Sequence, residues 1–164
     1  MTHGADAPTD TPLRIRPAQE ADLPAIVALL ADDVLGAARE DPRLPLAPGY
    51  RAAFAAIAAD PNQMLVVAEA DGAVVGTLQI TFIPGLSYRG AWVGQIEGVR
   101  IAAARRGQGL GRRLIRWAIA ACRARGCRLV QLSTNMARHD AHRFYEGLGF
   151  RRSHYGYKLD LSEG

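Results

Sequence analysis

Lysine is almost missing from this chain: Lys158 is the only one among 20 basic residues, so the formal charge of +4 rests almost wholly on arginine. Many of those arginines follow Arg100, and anions are therefore expected at that half. Cysteine is scarce. Cys122 and Cys127 are the only two, they do not form a Cys-x-x-Cys pair, and no further ligands cluster near them, which speaks against a disulfide framework or a metal site and for reduced thiols in or near the core. Aromatic residues make up only 7% of the chain and are not interleaved with the arginines as a base-stacking surface would need, so no nucleic-acid partner is expected. No apolar run approaches the roughly 20 residues of a membrane span, and the start lacks a basic-then-apolar signal pattern. The expectation is a cytoplasmic protein with no membrane partner.

What is present fits one α/β domain. The 164 residues, 49% of them hydrophobic, suffice for one full core, with residues 1–12 read as a mobile tail rich in Pro, Asp and Thr and residues 13–164 as the domain. Residues 13–16 read as a strand closed by Pro17. Residues 21–35 carry a helical stripe of Leu23, Ile26, Val27, Leu30 and Val34, and a second helix is expected over 49–59 beyond a proline-broken segment. Residues 63–70 and 73–84 read as strands joined by Asp71-Gly72, a hairpin turn, with 85–90 a loop. Residues 91–101 read as a strand with Gly94 and Gly98 as bulge or close-approach positions, 109–125 as an amphipathic helix, 127–135 as a strand and 141–146 as a short helix. The chain would close with strands at 150–154 and 157–161, a hairpin around Tyr155-Gly156.

Between the strand at 91–101 and the helix at 109–125 lies Arg106-Gly107-Gln108-Gly109-Leu110-Gly111, a glycine-rich turn opening a helix and suited to hold a phosphate. A P-loop would need Gly-Lys-Ser/Thr where Gly111-Arg112-Arg113 stands, and a dinucleotide fingerprint would need its third glycine one residue later and an acidic residue where Gln131 lies. What remains, Arg106-x-x-Gly109-x-Gly111, resembles the acetyl-coenzyme A loop of the GCN5-related N-acetyltransferase (GNAT) family. The stretch Ala141-x-x-Phe144-Tyr145-x-x-x-Gly149-Phe150 is similar to that family's second signature.

The resemblance implies a GNAT fold: a mixed, mostly antiparallel sheet of six to seven strands flanked by about four helices, with central strands that splay to admit the cofactor. It implies acetyl-coenzyme A as donor, with no metal, and acetyl transfer to a primary amine of a small molecule or peptide. Val99, Arg100 and Ile101 would line the splay, and the Ile101 N–H would polarise the acetyl carbonyl. The amides of Arg106, Gly107, Gln108, Gly109, Leu110 and Gly111 would wrap the pyrophosphate, with Arg112 adding charge. Asn135 would reach the pantetheine arm or cap the turn at Ala137, and His142 would lie near the cofactor or in solvent. Glu97 stands where relatives place a base. Because a free glutamate titrates near 4.3 and an alkylammonium near 10.4, a water relay is preferred, with a structural pair to Arg100 as the alternative. Tyr145 matches the family tyrosine beside the sulfur, a phenol that stays protonated at neutral pH and could donate to the thiolate. Trp92 and Tyr88 flank a loop bordering the acceptor, where packing is the plain expectation and stacking on an acceptor or support of a homodimer interface the alternatives. Asp32, Asp33, Glu40 and Asp41 would either attract a polycationic amine or serve as helix-end charges. The rival reading is a non-catalytic acyl-coenzyme A sensor or interaction domain.

Overall fold

The computed structural model describes residues 12–162, so the expected tail lies almost wholly outside the described residues. Five strands, β1 (Arg14–Pro17), β2 (Gln63–Ala70), β3 (Ala73–Pro84), β4 (Trp92–Ile101) and β5 (Cys127–Leu132), form one sheet in chain order. The first three junctions are antiparallel and β4–β5 is parallel. The β2–β3 turn is as the sequence predicts, with Asp71 at φ 51° and Gly72 at φ 76°, the double positive φ of a tight hairpin.

Six helices accompany the sheet: α1 (Leu23–Ala31), α2 (Val34–Ala37), α3 (Pro48–Ala59), α4 (Ser87–Gly90), α5 (Leu110–Ala124) and α6 (His139–Glu146). Three expectations are corrected. The helix expected over 21–35 breaks at Asp32, because Asp33 is extended and its carboxylate accepts the Gly36 N–H at 2.7 Å, capping a new turn. The strand expected over 127–135 stops at Leu132, since Asn135 turns the chain through a 2.9 Å bond from the Ala137 N–H. The sheet has five strands and not six or seven, for residues 150–161 are not strands and are exposed from Arg151 onward. Of the six helices, α2 and α4 are single turns, and α4 carries Tyr88 and Arg89 in left-handed conformations.

Strand alternation divides the core. Val66, Ala68, Leu78, Ile80, Phe82 and Ile96 pack with Leu114, Ile115, Ala118 and Cys122 of α5. The intervening residues, with buried Val67 and Thr77 among them, turn to the other face, where α1 contacts β3 and β4 through its buried stripe. Gly94 sets how closely α5 approaches: a Cβ there would stand 2.3 Å from Cys122 Sγ. Both cysteines are free, and burial pushes the Cys122 thiol up to about 11. Arg16 ties the first strand to the rest, its guanidinium bonding both oxygens of Asp22 (2.7 and 2.9 Å) and Glu69 Oε1 (2.6 and 2.9 Å).

Two outcomes follow for stability. Gly94→Ala should lose about 1–3 kcal/mol through overpacking, seen as a lower urea midpoint at unchanged slope; an unshifted midpoint would contradict the close packing of α5. Asp22→Ala should cost about 1–2 kcal/mol at neutral pH, since it removes two charge-assisted bonds while Glu69 keeps the guanidinium partnered. The Arg16 hydrogen bonds hold the Asp22 carboxyl below its usual value. That stability is therefore present above about pH 4 and is lost as pH falls through the lowered native value. The gap between wild type and variant should close in acid and be flat from pH 5 to 8.

Candidate active site

The parallel pairing of β4 with β5 runs only from Trp92↔Cys127 to Ile96↔Leu132, while β4 stays paired with β3 as far as Ile101. Past Ile96 the two strands part. Gly98, at φ 61°, lies at the register shift between Thr77 and Gln79 and makes the bulge that only a residue tolerant of positive φ can make. Val99, Arg100 and Ile101 therefore form one wall of a gap, with main-chain groups on the β5 side that no strand covers.

The glycine-rich loop closes the end of this gap. Gly107 and Gly109 have φ of 77° and 74°, with open space where a Cβ would stand. The main-chain N–H groups of Gly107, Gly109, Leu110, Gly111 and Arg112 find no main-chain acceptor among the described residues, and they crowd the start of α5, where the helix dipole favours an anion. The loop thus fits a pyrophosphate: it is open, left-handed at two glycines and rich in donors. The side chains have other tasks. Leu110 is buried in the core. Arg106 turns back to the Ile101 carbonyl (Nε, 3.2 Å) and to Asp32, Arg112 reaches the Gly147 carbonyl at 3.4 Å, and Gln108 reaches the Ala104 carbonyl at 3.5 Å. A Cβ on Gly111 would stand 3.4 Å from Phe144 and 3.6 Å from Ile101, so the loop, the end of β4 and α6 meet at one point.

Tyr145 follows Phe144 on α6. Its ring is wedged edge-on against Phe144 (5.1 Å) and Phe150 (5.8 Å), and its hydroxyl bonds nothing among the described residues. Burial pushes the phenol up, against a smaller downward pull from Arg100 and Arg138. Glu97 lies opposite Gln79 in the register, exposed, with no hydrogen bond or ion pair among the described residues. The pairing with Arg100 weighed for it does not form. It shares a face with a polar row that the sequence reading missed: Gln79 donates to Gln63 (2.8 Å), Thr81 to the same oxygen (3.0 Å), and Gln131 to Gln95 (2.8 Å). Alternating glutamines on neighbouring strands were the available signal.

Arg100 instead lies 3.5 Å from Asp33, to which Arg138 also donates at 2.8 Å. Its Nη1 donates to the Val99 carbonyl at 2.8 Å, while its buried Nε has no hydrogen-bond partner. Burial pushes the Asp33 carboxyl up, but the Gly36 N–H with Arg138 and Arg100 outweighs it and holds the group below its usual value. Arg39 adds a further positive field at Arg100. One carboxylate thus faces several arginines beside Tyr145. The other acidic residues considered for a polycation are also engaged: Asp32 with Arg106, Asp41 with Arg43, and Glu40 with the Tyr50 hydroxyl.

The remaining candidates have structural partners. Asn135 holds the Ala137 turn, and its carbonyl meets His142 Nε2 at 3.1 Å. Trp92 lies 5.7 Å from the Arg125 guanidinium and Tyr88 4.9 Å from that of Arg128. Among the described residues no helix is long and apolar enough to cross a membrane.

Residues 23–150 match the model of the acetyltransferase (GNAT) family. The chain is 37% identical over 112 residues to the aminoalkylphosphonate N-acetyltransferase of Salmonella typhimurium, covering 68% of this chain and 72% of that protein. It is 36% identical over 90 residues to the glucosamine 6-phosphate N-acetyltransferase of Trypanosoma brucei brucei, covering 55% and 59%. A solved structure described as a transcriptional regulator from Bacillus halodurans superposes with a TM-score of 0.88 at 50% identity, covering 91% of this chain and 99% of that one. Family match and relatives agree with the parted strands and the donor-rich loop: the chain belongs to the GNAT family and is an acyl-coenzyme A-dependent N-acetyltransferase.

Proposed function

We propose that the chain transfers the acetyl group of acetyl-coenzyme A to the primary amine of a small acceptor that also carries a phosphate or phosphonate. The observation that carries the acceptor class is the Arg100–Asp33–Arg138 cluster, which leaves net positive charge on the sheet face that bears Glu97. Both curated relatives are named for amines with such a group, and the local pairing of the acidic residues disfavours a polycationic acceptor.

The roles of the residues follow from their places. The loop amides hold the pyrophosphate. The open wall of β4 satisfies the pantetheine amides in the manner of an added strand, and the Ile101 N–H faces the acetyl oxygen. Glu97, exposed and without a hydrogen bond or ion pair among the described residues, takes the ammonium proton through water. Tyr145 returns a proton to the departing sulfur. Arg138 and Arg100 bind the anionic end of the acceptor, whose second charge keeps the amine at a fixed distance from the gap.

Four results test this. Thiol release from acetyl-coenzyme A, with the protein's own thiols blanked, should be much faster with an aminoalkylphosphonate than with the alkylamine of equal length; equal rates would refute the anionic-acceptor reading, and tight cofactor binding with no acceptor-dependent release would favour a sensor. Arg138→Gln should lower kcat/KM for the phosphonate about 10- to 100-fold more than for the plain amine, as loss of one charge-assisted bond to the anionic end predicts. Tyr145→Phe should lower kcat by roughly 10²–10⁴ with cofactor affinity retained, and Glu97→Gln should lose a similar factor.

A further inference from the structure

Arg39 is an exposed arginine that the fold itself does not use. It follows the single turn α2, and its main-chain N–H bonds the Gly36 carbonyl at 2.9 Å. Its guanidinium has no hydrogen bond, ion pair or ring contact among the described residues. The acidic residues next to it are held elsewhere, Glu40 on the Tyr50 hydroxyl at 3.0 Å and Asp41 on Arg43.

The place of Arg39 is set by the cluster around Asp33. The same carboxylate caps α2 at the Gly36 N–H and receives Arg100 and Arg138, so the turn that carries Arg39 is pinned to both. The end of α1 lies against the bulge that follows Glu97, with Leu30 Cδ2 3.8 Å from where a Gly98 Cβ would stand, and Asp32 and Asp33 join that end directly to α2. The positive field of Arg39 reaches Arg100. On its other side Arg39 borders an open cleft with Ala47, Gly49 and Tyr50, which leaves the side chain room to move.

Three guanidiniums about one carboxylate leave two positive charges in excess. Arg100 and Arg138 with Asp33 account for one of them, enough for a singly charged acceptor group. A phosphoryl group carries roughly −1.5 to −2 at neutral pH on three strong acceptor oxygens, and its second charge calls for a further guanidinium. Arg106 and Arg43 are already engaged by Asp32 and Asp41; Arg39 is free.

We infer that Arg39 is a specificity-determining residue that reads the second negative charge of the acceptor, so that the site selects amines bearing a dianionic phosphonate or phosphate monoester over amines bearing a sulfonate or carboxylate. The inference rests on the anionic-acceptor reading above and narrows it. Once the group sits on Arg100 and Arg138, Arg39 turns from solvent onto its remaining oxygen, where the guanidinium fork gives a charge-assisted bond.

The test compares three amines of equal chain length, ending in a phosphonate, a sulfonate and a methyl group, by thiol release from acetyl-coenzyme A at about pH 8, where the phosphoryl group holds both charges. The wild type should prefer phosphonate to sulfonate by about tenfold or more in kcat/KM. Arg39→Gln should lower kcat/KM for the phosphonate about tenfold more than for the sulfonate, chiefly through KM, and Arg39→Lys should restore part of the difference. Added salt should narrow the preference of the wild type. Arg51→Gln removes another exposed arginine, one that lies 3.7 Å from Glu20, and should keep the preference. A wild type that treats phosphonate and methyl alike would overturn the anionic-acceptor reading and this inference with it. A wild type that favours both anions over methyl but uses sulfonate as well as phosphonate would overturn this inference alone. So would an Arg39→Gln that spares both anions or lowers them by one factor, or an Arg51→Gln that loses the preference equally.

Discussion

A strand paired on one side along its whole length and on the other for only half of it cannot be completed by its own chain. That is the condition of β4 beyond Ile96, and the site is arranged around it. Side chains take two of its main-chain acceptors, the Val99 carbonyl through Arg100 and the Ile101 carbonyl through Arg106, and the remaining groups of the gap are left for water or a strand-like ligand. Gly98 starts it by bulging the strand, and Gly111 brings α5 to its far end between Ile101 and Phe144. The rest of the sheet keeps the two strands apart: β1 to β3 anchor one side, and α5 fills the face beneath them with buried side chains.

Charge is arranged as deliberately as the main chain. The acidic residues near α1 and α2 each meet a local partner: Asp32 meets Arg106, Asp33 meets Arg100 and Arg138, and Asp41 meets Arg43. Counting acidic residues in that stretch suggests a cation site; pairing them removes it. Asp33 does most of this, because capping α2 fixes its position and leaves its second oxygen to two guanidiniums whose combined charge it cannot cancel. An anionic acceptor would use that surplus, since the buried Arg100 Nε stands 3.5 Å from the Asp33 carboxylate without a hydrogen bond.

The sequence made the gap and its loop legible and left the arginine cluster hidden. Gly98, Gly107 and Gly109 could be read because a positive φ is a local demand that glycine answers, and all three adopt it. The hairpin at Asp71-Gly72 and the long helix α5 were legible for similar local reasons. The cluster was not, for Asp33 and Arg138 are 105 positions apart and no local pattern links them. Strand ends failed where a side chain intervened, as with Asn135 and its turn. Residues 150–161 failed otherwise: alternation states that a segment has an apolar face to bury, and does not state which surface receives it.

The arginines also bear on the proposed role of Tyr145. A phenol near 10 is a weaker acid than a thiol near 8.5, so protonating the leaving sulfur is uphill by about 2 kcal/mol. Wedging Tyr145 between Phe144 and Phe150 positions the hydroxyl but widens that difference, since burial pushes the phenol up. Arg100 and Arg138 work against it, favouring a phenolate and, within the same field, a thiolate. On this reading the aromatic wedge supplies geometry and the guanidiniums supply acidity. Their pull is the smaller of the two effects, so the phenol stays above its ordinary value.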